Sequence, residues 1–150
     1  MLHIAQSGWQ QLRQHAERAY PEECCGVLLG RAEQQANRVL AVRAVENAAE
    51  GARTQSYRIA PETLIHWQRT AREQGLAIVG FYHSHPEQAA QWSQRDWAEA
   101  HWTDCSYVIT SVRLQGGQPC AQETRSFRLR QQRGEKYFAD EEILFHAEAF

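Results

Sequence analysis

The sequence predicts an α+β (mixed α/β) fold, a single mixed β-sheet with helices packed on its faces. Three observations carry that expectation. Two stretches, residues 7–20 and 61–75, repeat apolar residues at helical spacing. Several short apolar or alternating runs of strand length are separated by turn residues. The two kinds of segment follow one another without the strict strand–helix alternation of an all-parallel sheet. The 150 residues hold no internal repeat, low-complexity tract or linker, so residues 1–150 are expected to form one domain around one core.

Taken in order, Ser7 is placed to cap a helix reaching about Tyr20. Leu12, Ala16 and Ala19 lie on one stripe of it, and Pro21 ends the pattern. Cys25 to Gly30 is a short apolar run and reads as a strand. A polar turn leads to a second strand, Arg38 to Val45, and Glu46 to Gly51 reads as a loop. Thr54 to Ala60 alternates and is predicted as a strand. Pro61 then suits the first turn of a helix that carries Leu64, Trp67 and Ala71 and stops at Gly75. Leu76 to Tyr82 is nearly continuously apolar, as a central strand covered on both faces must be. Pro86 to Trp92 is a loop, and a helix is predicted from Ser93 to about Trp102. Ser106 to Val112 and Ala121 to Arg130 are strands joined through a turn at Gly116-Gly117. In the tail from Gly134 to Phe150, the run Ile143-Leu144-Phe145 suits either a strand end or one face of a short helix.

Composition sets bounds on function. With 43% apolar and 23% charged residues the chain has the make-up of an ordered globular protein. A net charge of -2 supplies no overall basic field for nucleic acid or an anionic membrane. Met1 to Tyr20 has no apolar core or cleavage motif of a signal peptide, and no apolar run approaches membrane-spanning length. Cys24, Cys25, Cys105 and Cys120 form no Cys-x-x-Cys pair, and adjacent cysteines rarely bridge one another. They are expected to be free, mostly buried thiols of a cytoplasmic protein.

The chemistry is concentrated in one stretch. His83 and His85 flank Ser84. Seven residues separate His85 from Ser93, and two separate Ser93 from Asp96. On a strand, residues two apart point to one side, so the two imidazoles can bind one metal ion. Pro86 keeps His85 extended. Ser93 and Asp96 match a helix-capping box, which is common by itself, yet a capped first turn is also a rigid way to aim a carboxylate. Two imidazoles and one carboxylate are zinc ligands, and three protein ligands leave the open position of a catalytic zinc. Upstream, Glu22 and Glu23 both precede the Cys25 strand, and either is an exposed loop acid or a general base.

A glutamate followed at long range by this His-Ser-His, serine and aspartate spacing resembles the JAMM motif of the MPN-type zinc metallopeptidases. Pro21-Glu22-Glu23-Cys24-Cys25-Gly26 resembles the Pro-x-Glu-x-Cys-Gly segment of small bacterial members, a match that selects Glu23 over Glu22. Gly80-Phe81-Tyr82 and Tyr57-Arg58-Ile59-Ala60-Pro61 fit as well. The resemblance covers roughly Ser7 to Val112. It departs at Trp92, where the family often has proline; Trp92 and Trp97 either line a substrate groove or pack as ordinary aromatics.

The resemblance implies a JAB1/MPN-like fold, itself similar to the cytidine-deaminase architecture. It implies Zn²⁺ on His83, His85 and Asp96, Glu23 as general base, and Ser93 as hydrogen-bond donor to the developing oxyanion. It implies hydrolysis of the peptide or isopeptide bond after the C-terminal Gly-Gly of a ubiquitin-like, β-grasp sulfur carrier protein. A narrow, extended tail is expected to add to a sheet edge near the site, with the carrier's folded body on a separate surface that includes the Tyr57–Gln74 region. Three alternatives compete with this. A zinc deaminase needs His-x-Glu and Pro-Cys-x-x-Cys, which the sequence lacks. A non-catalytic MPN scaffold would have lost one of the five residues. A phage-tail or cell-wall peptidase commonly carries a second hydrolase domain.

Overall fold

The structure is a computed structural model and describes residues 1–147. In chain order its elements are β1 (Leu2–Ala5), α1 (Gln6–Ala19), β2 (Cys25–Glu33), β3 (Ala36–Val45), α2 (Pro61–Glu73), β4 (Ala77–Pro86), α3 (Gln94–Glu99), β5 (Ser106–Gln115), β6 (Gln118–Gln132), β7 (Glu135–Glu141) and β8 (Ile143–His146). The strands form one mixed sheet in the order β7-β6-β5-β4-β2-β3-β1-β8. β4 pairs in parallel with β5, and β1 pairs in parallel with both β3 and β8; the remaining pairs are antiparallel.

Both faces of the sheet are covered. On one, Leu12 and Ala16 of α1 pack with Leu2, Ile4, Leu28, Val42, Tyr82 and Val108. On the other, Ala71, Leu64 and Trp67 of α2 pack with Val27, Leu29, Ile78, Phe81 and Tyr107. This double cover explains why β4 is buried along nearly its whole length and reads as an apolar run. At the centre the strands approach so closely that a side chain is excluded. A Cβ on Gly80 would lie 2.3 Å from the backbone oxygen of Ser106 in β5.

Four expectations are corrected. Ser7 does not cap α1. The helix starts one residue earlier, straight off β1, with Ala5 at the cap position and no side-chain cap. That strand was not anticipated at all, because four residues give too short a pattern; it forms by inserting Leu2 and Ile4 into the core between β3 and β8. Thr54 to Ala60 is not a strand. Asn47 organises it instead: its Oδ1 accepts from the Ala49 and Arg58 N–H groups, and its Nδ2 donates to the Glu23 and Ser56 carbonyls. The segment lies over the sheet rather than in it, so Ile59 still alternates inward. Finally, α3 stops at Glu99, short of Trp102, because Trp102 turns in to pack edge-on against Phe81 at 5.3 Å.

The tail resolves into β7 and β8, so Ile143-Leu144-Phe145 belongs to a strand; residues 148–150 lie outside the described residues. All four cysteines are free, and Cys24, Cys25 and Cys105 are buried. Among the described residues no helix is long and apolar enough to cross a membrane.

The close approach of β4 and β5 yields a test. Gly80→Ala forces either the strands apart or the new methyl onto a carbonyl that cannot rotate away. It should lower unfolding free energy by about 1–3 kcal/mol, measured as a reduced urea midpoint. An unchanged midpoint would mean the two strands are further apart than described.

Candidate metal centre

β4 extends to Pro86, so His83 and His85 are strand residues on one face of the sheet, the face that also carries Phe81. β5 backs them in parallel register, with Ile109 beside His83 and Ser111 beside His85. On the other side β2 pairs antiparallel, with Cys25 opposite His83. Continuing that register two residues past the start of β2 sets Glu23 opposite His85. Ser84 stitches the two strands there: its N–H donates to the Cys24 carbonyl and its Oγ accepts the Cys24 N–H, at 3.2 and 2.8 Å.

Asp96 comes from α3, and the capping box predicted at Ser93 is formed. Ser93 Oγ accepts the Asp96 N–H at 3.1 Å, and the Ser93 N–H donates to Asp96 Oδ2 at 2.9 Å. The turn thereby fixes the carboxylate against both rings. Asp96 Oδ1 lies 3.3 Å from His83 Nε2 and Oδ2 lies 3.2 Å from His85 Nε2, while the two Nε2 atoms are 3.1 Å apart. The ligand atoms of His83, His85 and Asp96 all fall within 4.8 Å of one another, a cluster able to hold a metal ion.

The donor chemistry fits such an ion. His85 Nδ1–H donates to the Ala89 carbonyl at 3.0 Å. In a neutral ring that leaves the lone pair on Nε2, facing the cluster, which is the arrangement that orients metal-binding histidines. His83 is held differently: its Nδ1 is buried with no hydrogen-bond partner among the described residues, and the Tyr57 ring stacks on it at 4.3 Å and 22°.

Electrostatics follow from burial. Burial alone would raise the Asp96 pKa. The charge of His83 and hydrogen bonds from His83, His85 and the Ser93 backbone outweigh it and hold the carboxyl far below its usual range. Burial lowers the basicity of His85, but Asp96, the Ala89 carbonyl and Glu23 more than reverse this, so its pKa is raised. Glu23 is buried whereas Glu22 is exposed. Desolvation raises the Glu23 pKa against the opposing pull of His83 and His85, with Asp96 adding to the rise. The Cys24 thiol is pushed up to about 11, chiefly by burial, and that of Cys25 higher still.

Glu23, His83, His85, Ser93 and Asp96 therefore meet at one end of the central strands. Sequence reasoning missed two of their supports. Tyr57 belongs to a segment that fits the family, but nothing in its spacing assigns it to His83. The Ala89 carbonyl is a backbone group in an irregular loop and leaves no signal. Trp92 packs on Phe138 at 5.5 Å, and Trp97 lies under the Lys136 ammonium. Beside the cluster a groove of about 400 Å³ runs between Tyr57, Ile59, Phe81 and Trp102, with Arg58 and Glu99 as polar lining. An adjoining hollow of about 420 Å³ shares Tyr57, Arg58 and Glu99.

Known proteins resemble this chain. A family model described as prokaryotic homologs of the JAB domain matches residues 5–130, further than the resemblance to Val112 expected from motifs. The chain is 37% identical over 91 residues to a desampylase of Haloferax volcanii, covering 61% of this chain and 63% of that protein, under two thirds of its length. It is 31% identical over 109 residues to a probable TtuB-protein conjugate cleaving protease of Thermus thermophilus, covering 73% of this chain and 69% of that one. Among solved structures, a Desulfitobacterium hafniense protein superposes with a TM-score of 0.78 at 26% identity, covering 99% of this chain and 94% of the other. A Salinibacter ruber protein does so at 0.69 and 36%, covering 97% and 92%. The chain belongs to the prokaryotic homologs of the JAB domain, a family whose members are generally metal-dependent.

Proposed function

We propose that this protein is a cytoplasmic, single-domain zinc metallopeptidase that hydrolyses the peptide or isopeptide bond after the C-terminal Gly-Gly of a ubiquitin-like, β-grasp sulfur carrier. One observation carries the reading. Three atoms able to ligate a metal converge at the end of β4, with the buried Glu23 just ahead of β2, the strand that pairs with it. Relatives named a desampylase and a TtuB-protein conjugate cleaving protease support the substrate class. The free, buried thiols suit a reducing compartment.

His83, His85 and Asp96 would hold the zinc. When bound, zinc makes a water acidic enough to yield hydroxide near neutral pH. Glu23 accepts the proton of the attacking water and returns it to the leaving amine. Its raised pKa suits both halves of that transfer. The Ser93 hydroxyl spends an oxygen lone pair on the Asp96 N–H and keeps its proton, which it donates to the scissile carbonyl oxygen as negative charge builds there. Ser93 is exposed, so substrate can reach it. The cysteines have no part in this chemistry. Thiols as hard to ionise as those of Cys24 and Cys25 are poor nucleophiles at neutral pH.

The groove beside the cluster suits a thin, extended tail. Its lining includes Tyr57, Arg58 and Ile59, of a segment expected to meet the carrier's body and not its tail. Glycines at the scissile end let the substrate backbone approach the cluster without a side chain in the way.

Three tests follow. Protein purified without chelator should contain close to one zinc per chain, and His83→Ala and His85→Ala should each lose most of it by elemental analysis; full occupancy in both would remove the ligand assignment. Glu23→Gln should keep the metal yet slow hydrolysis by about a hundredfold or more, while Glu22→Gln stays active, and the reverse pattern would show the glutamate misassigned. A carrier extended past its Gly-Gly should yield only the released extension by mass spectrometry. Equal cleavage of unrelated unfolded proteins would identify a general protease instead.

A further inference from the structure

Asp96 is delivered by α3, which has only six residues. A helix under two turns long does not hold itself, and its ends must be fixed from outside. The first turn is fixed by the Ser93–Asp96 capping box. The last is fixed by Lys136 of β7, the only lysine in the chain. Its Nζ donates to the Ala98 carbonyl at 3.1 Å and to the Ala100 carbonyl at 2.8 Å. It also lies 4.8 Å from the centroid of the Trp97 ring, the residue next to Asp96. An ammonium is matched to this place, since the last carbonyls of a helix carry partial negative charge and the face of an indole attracts cations.

Two neighbouring contacts extend the grip. Phe138, two residues along β7, packs on Trp92 just before Ser93. From β6, Arg125 donates to Gln91 Oε1 at 2.8 Å while also binding Asp140. The β6–β7 hairpin thus holds the segment from Gln91 to Ala100 before, alongside and after Asp96. The family match ends at residue 130, before β7 begins.

We propose that Lys136 is a positioning residue for Asp96: it locks the last turn of α3 and, through it, the direction of the carboxylate toward His83 and His85. This rests on the reading of the cluster as a metal site. Without the ammonium, the Ala98 and Ala100 carbonyls lose their common donor and the Trp97 ring loses its cover. The turn is then free to shift by fractions of an ångström, enough to matter for an oxygen that must meet two imidazole nitrogens at once.

The experiment compares Lys136→Met, which keeps the length of the stem without charge, with Lys136→Arg, which keeps charge and donors. Zn²⁺ affinity is measured by competition with a chromophoric chelator, and coordination geometry by the visible absorption bands of the Co²⁺-loaded protein. Lys136→Met should bind Zn²⁺ about tenfold more weakly, as loss of an outer partner of a metal site does, with altered Co²⁺ bands. Lys136→Arg should restore both. Wild-type affinity and spectrum in Lys136→Met would overturn the proposal, and so would equal losses in the two variants, which would indicate packing rather than charge. Should Lys136→Met not fold, Lys136→Gln takes its place with the same expectation. His83→Ala is titrated alongside: if it binds Zn²⁺ like wild type, the metal reading fails, whereas loss in His83→Ala without loss in Lys136→Met removes the role of Lys136 alone.

Discussion

Two buried imidazoles and a partly buried carboxylate at the end of the central strand are the constraint around which this molecule is arranged. Taking a single carboxylate out of water costs several kcal/mol even after relaxation, about as much as a large part of a domain's net stability. The Asp96 carboxylate avoids that penalty only because both rings and the Ser93 N–H face it. The arrangement also needs positive charge. His85 turns its Nδ1–H away to Ala89, so its neutral ring offers the cluster a lone pair, and the carboxylate offers more. Either a proton on an imidazole or a cation must balance them. The pKa of His85, which burial lowers but Asp96 and the Ala89 carbonyl raise on balance, is shifted in the direction of that need.

The sheet topology follows from the same constraint. His83 and His85 can project from a buried strand only if the strands on both sides are regular enough to fix their direction. β5 in parallel and β2 in antiparallel register do so, and Gly80 lets β5 come close. The β2 side also delivers Glu23, which sits at the junction where Asn47 and Ser84 tie loop, strand and strand together. Burial at that junction raises the Glu23 pKa against the opposing pull of His83 and His85. Exposed Glu22, one residue away, has the same chemistry but none of this environment.

What the sequence disclosed and what it hid divide along a physical line. Elements whose burial sets a period were legible: α2 with Leu64, Trp67 and Ala71, the apolar run of β4, and the antiparallel strands around Gly116-Gly117. The cluster of His83, His85 and Asp96 was legible because metal-ligand chemistry restricts residue type and spacing together. Hidden were features set by partners distant in sequence. β1 exists because β3 and β8 flank it; residues 54–60 are held off the sheet ladder largely by Asn47, whose amide bonds Ser56 and Arg58. The stacking of Tyr57 on His83 belongs to the same class, since no local pattern reports which ring a tyrosine will cover.

Trp92 shows how such distant partners reach the site. Proline, common before the motif serine in the family, stiffens the approach to the helix through its own backbone. Tryptophan has no such stiffness, and here the rigidity comes from tertiary contact: Trp92 on Phe138, Gln91 under Arg125, and the end of α3 on Lys136. The loop trades a local restraint for one supplied by the β6–β7 hairpin. Pairing of β7 with β6 then bears on the site directly, because a hairpin that frays at β7 releases the segment that carries Asp96. Stability at this sheet edge and geometry at the His83–His85–Asp96 cluster are therefore coupled in this chain, although the two lie far apart in sequence.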